Sequence, residues 1–503
     1  MAWWPAAALG AFALILHAAV NLLTPYGFHR DELLYLAMGR HLRLWAMDFP
    51  PGIALLSETV RATLGDSLSA IRFVPALAGS LLAILAALAS RELGGGRWAQ
   101  SLAAFAVVAN PLFLRSANLF QPVVFDQVAW TLALYALLRL CHDSAPRWWL
   151  LLGTALGLGL LTKFSAAFLA LAIAMAVLLS PRRAWLRTPW PWVAAVLAMA
   201  IGSPSIVGQI RLDWPVLGQM AELRSSQLAR VTPADFMLDQ LRWGPATVAG
   251  LIGLGALLFH PALRRFRVVG WTCAVALAIL LGLHGKAYYA GPLYPTLIGA
   301  GTLVLERVQV PRPGRIVRWG FLAALACFVA GTLPLSLPLL PPDPMARYAQ
   351  AIGATAALRT NTGEIEALPQ DYADMLGWEA QVRAVADVYR SLPAPDRRRA
   401  VLVAANYGEA GALDFFGPRY GLPPVVSPTG SYWFFGPGTK PGEVVITIGV
   451  DRADLEPMFA TVVPAKRIGS TWSVAEERDL TIYVARRPRR TLQEIWPSFA
   501  GRN

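Results

Sequence analysis

The densest group of residues with chemical potential is Phe28-His29-Arg30-Asp31-Glu32-Leu33-Leu34-Tyr35, directly after the first apolar run. Two adjacent carboxylates at a membrane face are costly unless they are solvated, paired or used. One of them could take a proton from an acceptor hydroxyl as a general base, and the pair could ligate a hard cation. The plainer alternative is an interfacial helix whose acids cap its amino end. Asp126, in Gln121-Pro122-Val123-Val124-Phe125-Asp126, starts an otherwise apolar run. It is either a helix cap or a second acid for the same site.

Lys163 and Lys286 are half of the lysines in the chain, the others being Lys440 and Lys466. An ammonium at a membrane face can neutralise a lipid phosphate, or it can simply snorkel to the headgroups. Lys286 lies in His284-Gly285-Lys286-Ala287-Tyr288-Tyr289-Ala290-Gly291-Pro292-Leu293-Tyr294-Pro295, which sets a cation and hydroxyls beside a helix-breaking proline. Tyr288 and Tyr289 could equally be interface-belt aromatics. Asp48, in Asp48-Phe49-Pro50-Pro51-Gly52, reads as part of a rigid structural turn.

The elements that must position these groups are membrane spans. The 503 residues are 56% hydrophobic and 15% charged, too apolar for an ordinary soluble chain and far from disorder. Apolar runs lie near 3–24, 72–90, 98–116, 123–141, 148–162, 164–180, 189–208, 243–260, 268–284, 288–305 and 317–340, which predicts about 11 spans. The first run has no small-residue cleavage site and is expected to be retained. Two loops are long, 25–71 and 209–242.

The formal charge of +13 has a location. Residues 1–340 hold 26 basic and 13 acidic residues, whereas 341–503 hold 18 of each. One set of short loops carries 14 Arg, Arg312 and Arg315 among them, against three acids. By the positive-inside rule those loops are cytoplasmic, so the amino terminus is expected inside and the tail outside. The excess is therefore a topology signal. Basic residues spread over short loops, with a neutral tail, argue against a nucleic-acid partner.

On this topology Asp31, Glu32, Asp126, Lys163, His284 and Lys286 all fall on the outer face. The tail begins at Pro341-Pro342-Asp343-Pro344. Strands at 400–405 and 444–450 and helices at 370–391 and 452–460 predict an extracytoplasmic α/β domain over 341–503. The three cysteines, Cys141, Cys273 and Cys327, lie in or beside apolar runs, so the tail has no disulfide or zinc framework.

The order and spacing of Asp31-Glu32, Asp48-Phe49-Pro50-Pro51, Asp126, Leu161-Thr162-Lys163 and Gly285-Lys286-Ala287-Tyr288-Tyr289 resemble glycosyltransferase family 39 of the GT-C superfamily, over roughly residues 20–300. That family includes protein O-mannosyltransferases and the bacterial aminoarabinose transferase acting on lipid A. The resemblance implies a GT-C transmembrane catalytic domain over 1–340 and an inverting transfer of a sugar from a polyprenyl-phosphate donor. The acceptor would be a hydroxyl or phosphate on a lipid, glycan or protein at the outer face of the cytoplasmic membrane.

Asp31 then matches the catalytic acid that deprotonates or orients the acceptor. Glu32 supports acceptor or sugar binding, and Asp126 is the second acid. Lys163, His284 and Lys286, with Tyr288 and Tyr289, hold the donor phosphate, while His29, Arg30 and Asp48 belong to the substrate loop. No cofactor is implied, although Asp31-Glu32 could hold a divalent cation. The tail motif Asn406-Tyr407-Gly408-Glu409-Ala410-Gly411 has no assigned role. A transporter or flippase would instead require inverted repeats and ionisable groups near the bilayer midplane. An inactive scaffold would leave the paired acids unexplained. The excess of Arg, Ala and Leu over Lys fits a GC-rich bacterial genome.

Overall fold

A computed structural model of the chain describes residues 4–307 and 313–501, without the side chains of 313–315. Arg312 and the Arg315 side chain therefore lie outside the described residues. The helices of the apolar part are α1 (Trp4–Leu23), α2 (Arg30–Arg40), α3 (Gly52–Leu64), α4 (Leu68–Glu92), α5 (Arg97–Val108), α6 (Pro111–Ser116), α7 (Pro122–His142), α8 (Pro146–Thr162) and α9 (Ala166–Leu178). They continue with α10 (Trp190–Arg211), α11 (Pro215–Ser226), α12 (Pro233–Arg242), α13 (Pro245–Phe259), α14 (Arg267–Gly282), α15 (Tyr294–Arg307) and α16 (Pro313–Ser336).

All eleven apolar runs are helical, but they differ in length. Among the described residues six helices are long and apolar enough to cross a membrane, or up to eight if two bent pairs each count as one span. The rest are shortened by local chemistry. The run 98–116 breaks at Asn110-Pro111, where Asn110 Oδ1 accepts the Leu112 N–H at 2.9 Å and caps a new helix. The run 288–305 begins as a 3-10 turn, Ala287–Leu293, around Pro292 and becomes α-helical only at Tyr294.

Apolar residues on the outer surface of the bundle, such as Trp192 and Ile316, face outward as lipid contact requires. Inside, small residues let helices touch. A Cβ at Gly301 or Gly253 would strike backbone of the facing helix in the α13–α15 pair.

Beyond Pro341 come α17 (Pro342–Ala351), α18 (Gln370–Ala373), α19 (Trp378–Ser391), α20 (Ala394–Arg399), β1 (Ala400–Ala404), α21 (Tyr407–Phe416), β2 (Val425–Val426), β3 (Val444–Ile448), β4 (Phe459–Gly469) and β5 (Asp479–Pro488). The sheet order is β2-β1-β3-β5-β4, with β1 parallel to β2 and β3 and the remaining pairs antiparallel.

The two expected strands are present with slightly earlier ends. The helix expected over 370–391 is two helices, because Gly377 adopts φ 93° between them. The one expected over 452–460 is a single turn, Arg452–Leu455, which gives way to β4. The β4–β5 ribbon was not foreseen. Much of β4 is solvent-facing, so its hydrophobic alternation is weak.

One apolar core runs through both parts. Leu33, Leu36 and Ile53 of the 25–71 loop share a buried cluster with Val382, Phe415 and Ile446 of the C-terminal domain. The domain is thus packed onto the segment that carries Asp31.

Candidate active site

His29 starts α2 as its N-cap. Its Nδ1 accepts the Asp31 N–H at 3.1 Å, and its own N–H donates to Glu32 Oε2 at 2.8 Å, which completes a capping box. Successive residues on a helix point about 100° apart, and the two acids consequently diverge.

Glu32 is fully buried. It receives Arg72 Nε at 2.8 Å and Nη2 at 2.7 Å, and the Phe120 N–H at 2.8 Å. Burial works to raise its pKa, but Arg72 and these hydrogen bonds hold the carboxyl below its ordinary value. Glu32 therefore anchors α2 to α4 and to the entrance of α7; its oxygens are spent on the protein itself.

Asp31 keeps 30% of its side chain exposed. Gln121 Nε2 donates to Oδ2 at 3.0 Å, and the Tyr407 hydroxyl donates to Oδ1 at 3.1 Å. Among the described residues no Lys or Arg lies within 4.0 Å of it, and the one basic side chain at that range is His29 at 3.9 Å. Each oxygen thus keeps lone-pair capacity toward the open side.

Around Asp31 stands a ring of charge supplied largely by the C-terminal domain. His29 Nε2 is 3.9 Å from Asp371 and 3.7 Å from Asp374. Arg30 Nε pairs with Asp374 at 3.1 Å and also reaches Glu476. Arg115 pairs with Asp371. Burial pushes the Asp374 carboxyl up to about 6 against the pull of His29 and Arg30. Asp371 is half-buried, which works to raise it, yet Arg115 holds it below the ordinary range.

The second acid has a separate surrounding. Asp126 is buried in α7, accepts the Ser165 hydroxyl at 2.8 Å, and leaves its other oxygen without a hydrogen-bond partner. Lys163, at the end of α8, lies 5.0 Å from the ring centre of Tyr289 and 5.8 Å from that of Tyr288. The two rings meet edge to face at 4.7 Å.

Lys286 joins the two halves. Burial pushes its ammonium down to about 8 despite the fields of Asp371 and Asp31, and Lys163 adds to the lowering. Its Nζ donates to Gln227 and, at 2.8 Å, to Asn361. His284 is not brought in. It adopts φ 54°, is exposed, and binds the Val231 carbonyl at 3.0 Å. Asp48 is buried as a joint between segments, accepting Ser431 at 2.7 Å and Gln219 at 3.3 Å. Arg30 likewise clamps the domain to α2 and does not line the opening. No group of three or more His, Cys, Asp or Glu among the described residues is arranged to hold a metal ion.

Gln121, Arg115, Asp371, Asp374 and Tyr407 were missed as site residues. Gln121 adjoins Pro122 at the start of the Asp126 helix, and Tyr407 lies in the unassigned Asn406–Gly411 motif, so both had a sequence signal. Asp371 and Asp374 had only their one-turn spacing.

Residues 48–207 match the family model described as "Dolichyl-phosphate-mannose-protein mannosyltransferase". Among solved structures, the fold matches ArnT from Cupriavidus metallidurans bound to undecaprenyl phosphate, with a TM-score of 0.60 at 13% identity, covering 94% of this chain and 97% of that one. The apo state of the same protein gives a TM-score of 0.58 at 14% identity with the same coverage. No curated protein matches the sequence. The near-complete mutual coverage includes the C-terminal domain, so this chain, with its candidate membrane spans, shares the overall fold of ArnT.

Proposed function

We propose that the chain is an inverting glycosyltransferase that moves a sugar from a polyprenyl-phosphate donor to a hydroxyl or phosphate acceptor on a lipid, glycan or protein. The observation that carries this reading is the state of Asp31: an open carboxylate held by two neutral donors, Gln121 and Tyr407, with Lys286 across from it. With a hydroxyl acceptor, the acceptor oxygen attacks the anomeric carbon from the side opposite the phosphate. Its proton passes to Asp31 as the new bond forms. The bond from the anomeric carbon to the phosphate oxygen breaks, and the electron pair leaves with the polyprenyl phosphate.

In this reading Lys286 and Lys163 bind that phosphate, and Tyr288 and Tyr289, whose rings lie near Lys163, form an aromatic wall for the prenyl-linked headgroup. Asp126, which accepts the Ser165 hydroxyl beside Lys163, contacts the sugar in this reading. The undecaprenyl phosphate bound by the similarly folded ArnT supports a prenyl-phosphate donor. The reading places Asp31 on the outer face of the cytoplasmic membrane, with the amino terminus inside, a transmembrane catalytic domain over 1–340 and the domain 341–503 outside.

The test uses the purified full chain in lipid vesicles, a panel of labelled undecaprenyl-phosphate hexoses, pentoses and aminopentoses, and envelope fractions as acceptors. Transfer of label into any fraction supports the reading. Movement of donor or free lipid across the vesicle membrane without transfer would instead indicate a flippase.

A further inference from the structure

The motif Asn406–Gly411 lies at an informative place in the sheet. The chain leaves β1, forms α21, pairs β2 on one side of β1, and then places β3 on the other side. That is a topological switch point. Open α/β sheets bind ligands in the crevice outside the carboxyl ends of the strands at such a point. Here the crevice lies beside Ala405, Asn406 and Gly449. It is occupied by this chain itself, because Glu409 packs against Gly449 and accepts the Ala405 N–H at 2.9 Å, while α21 packs on α2 through Gly411 against Leu33 and Gly408 near Arg30. The residue presented from the β1–α21 turn is Tyr407, and its hydroxyl meets Asp31 at 3.1 Å.

We propose that Tyr407 is a positioning residue for Asp31, so that the C-terminal α/β domain completes the active site with the phenol at its β1–α21 turn. The inference rests on the reading of Asp31 as the proton acceptor. The neighbourhood is built to hold this phenol. Asn406 Oδ1 accepts the Gly408 N–H at 2.8 Å and the Glu409 N–H at 3.0 Å, capping α21. Asn406 Nδ2 donates to Glu477 at 2.8 Å, and Gln381 donates to the other oxygen of Glu477 at 2.7 Å.

The Arg30 guanidinium lies 5.5 Å from the Tyr407 ring centre and 6.0 Å from that of Trp378. Burial first, and then the charge of Asp31, push the phenol well above its ordinary value. It therefore keeps its proton and is a hydrogen-bond donor across the working range. With Gln121 on Oδ2 and Tyr407 on Oδ1, both carboxylate oxygens are held by the protein, and the side chain keeps 30% of its surface exposed.

The experiment compares the full-length wild type, Tyr407→Phe and Asp31→Asn in phosphatidylethanolamine–phosphatidylglycerol vesicles with the labelled donor panel. Tyr407→Phe keeps the ring under Arg30 and removes one hydrogen bond to a charged group. The expected result is a kcat lowered roughly tenfold at unchanged donor KM and unchanged thermal midpoint. An unchanged kcat overturns the inference while leaving the glycosyltransferase reading intact. A parallel fall of kcat, rise of KM and drop in thermal midpoint assigns Tyr407 a structural role and also overturns it. Absence of transfer by the wild type overturns the glycosyltransferase reading and the inference together.

Discussion

Glu32 and Arg72 form a two-pronged ion pair, Nε to Oε1 at 2.8 Å and Nη2 to Oε2 at 2.7 Å, in which neither side chain is exposed at all. Adjacent Asp31 has no such partner. The pair of acids in the sequence is thus one structural carboxylate and one available carboxylate, separated by a single step of helix rotation.

Removing Arg72 leaves Glu32 charged and dry. Arg72→Ala is expected to destabilise the protein by about 3–5 kcal/mol. Thermal unfolding in detergent checks this. Arg72→Ala combined with Glu32→Gln should recover part of the loss, because no uncompensated buried charge remains.

The docking of the C-terminal domain depends on the absence of a side chain at 411. A Cβ there would stand 2.8 Å from Leu33 Cβ and 3.0 Å from its carbonyl carbon. Gly411→Ala is expected to push α21 off α2 and to cost about 1–3 kcal/mol. Unfolding midpoints measure the cost. Transfer activity should fall with it, because Tyr407 and Asp31 move apart.

Glu409 is buried near Glu477, and burial with that second carboxyl pushes it up to about 8 from an ordinary 4.5. The folded state therefore keeps a proton that the unfolded chain releases near 4.5. The stabilisation is present in full below that value and is lost as pH rises toward 8. Glu409→Gln carries no titrating proton. Its stability should decline less than that of wild type between pH 5 and pH 8, as read from unfolding midpoints across that range.

Lys286 titrates near 8, so its ammonium is lost as pH rises past that value. If it grips the donor phosphate, donor KM should rise above pH 8. Lys286→Arg, whose guanidinium stays charged, should hold KM level to higher pH. Lys286→Met should raise donor KM roughly ten- to hundredfold at pH 7. An unchanged KM would return Lys286 to a headgroup-facing role.

Much of this architecture is legible in composition and pattern. Apolar runs locate every span-like helix, the Pro341–Pro344 boundary marks the composition change, and the β1 and β3 runs stand out by their β-branched residues. Asp31 and Asp126 announce themselves as acids at the edges of apolar segments.

What stayed hidden is long-range. Glu32 and Asp31 cannot be told apart without Arg72, 40 positions away, and Tyr407 is 376 positions from the carboxylate it touches. Adjacency also misleads. His284 stands two residues from Lys286, but a left-handed backbone at 284 turns it to Val231. The resemblance set Asp48 in the substrate loop, yet Ser431, Gln219 and a buried position make it a joint, in line with the rigid turn that its own residues suggest.

The central claim is that Asp31 takes the acceptor proton. The most direct measurement is the single-turnover rate of sugar transfer from labelled undecaprenyl-phosphate sugar by reconstituted wild type and Asp31→Asn. Asparagine keeps the shape and can still receive the Tyr407 hydrogen bond, but it cannot hold the proton. The account predicts a rate lowered by roughly 10²–10⁴ with donor binding preserved. Transfer by Asp31→Asn at the wild-type rate would contradict it.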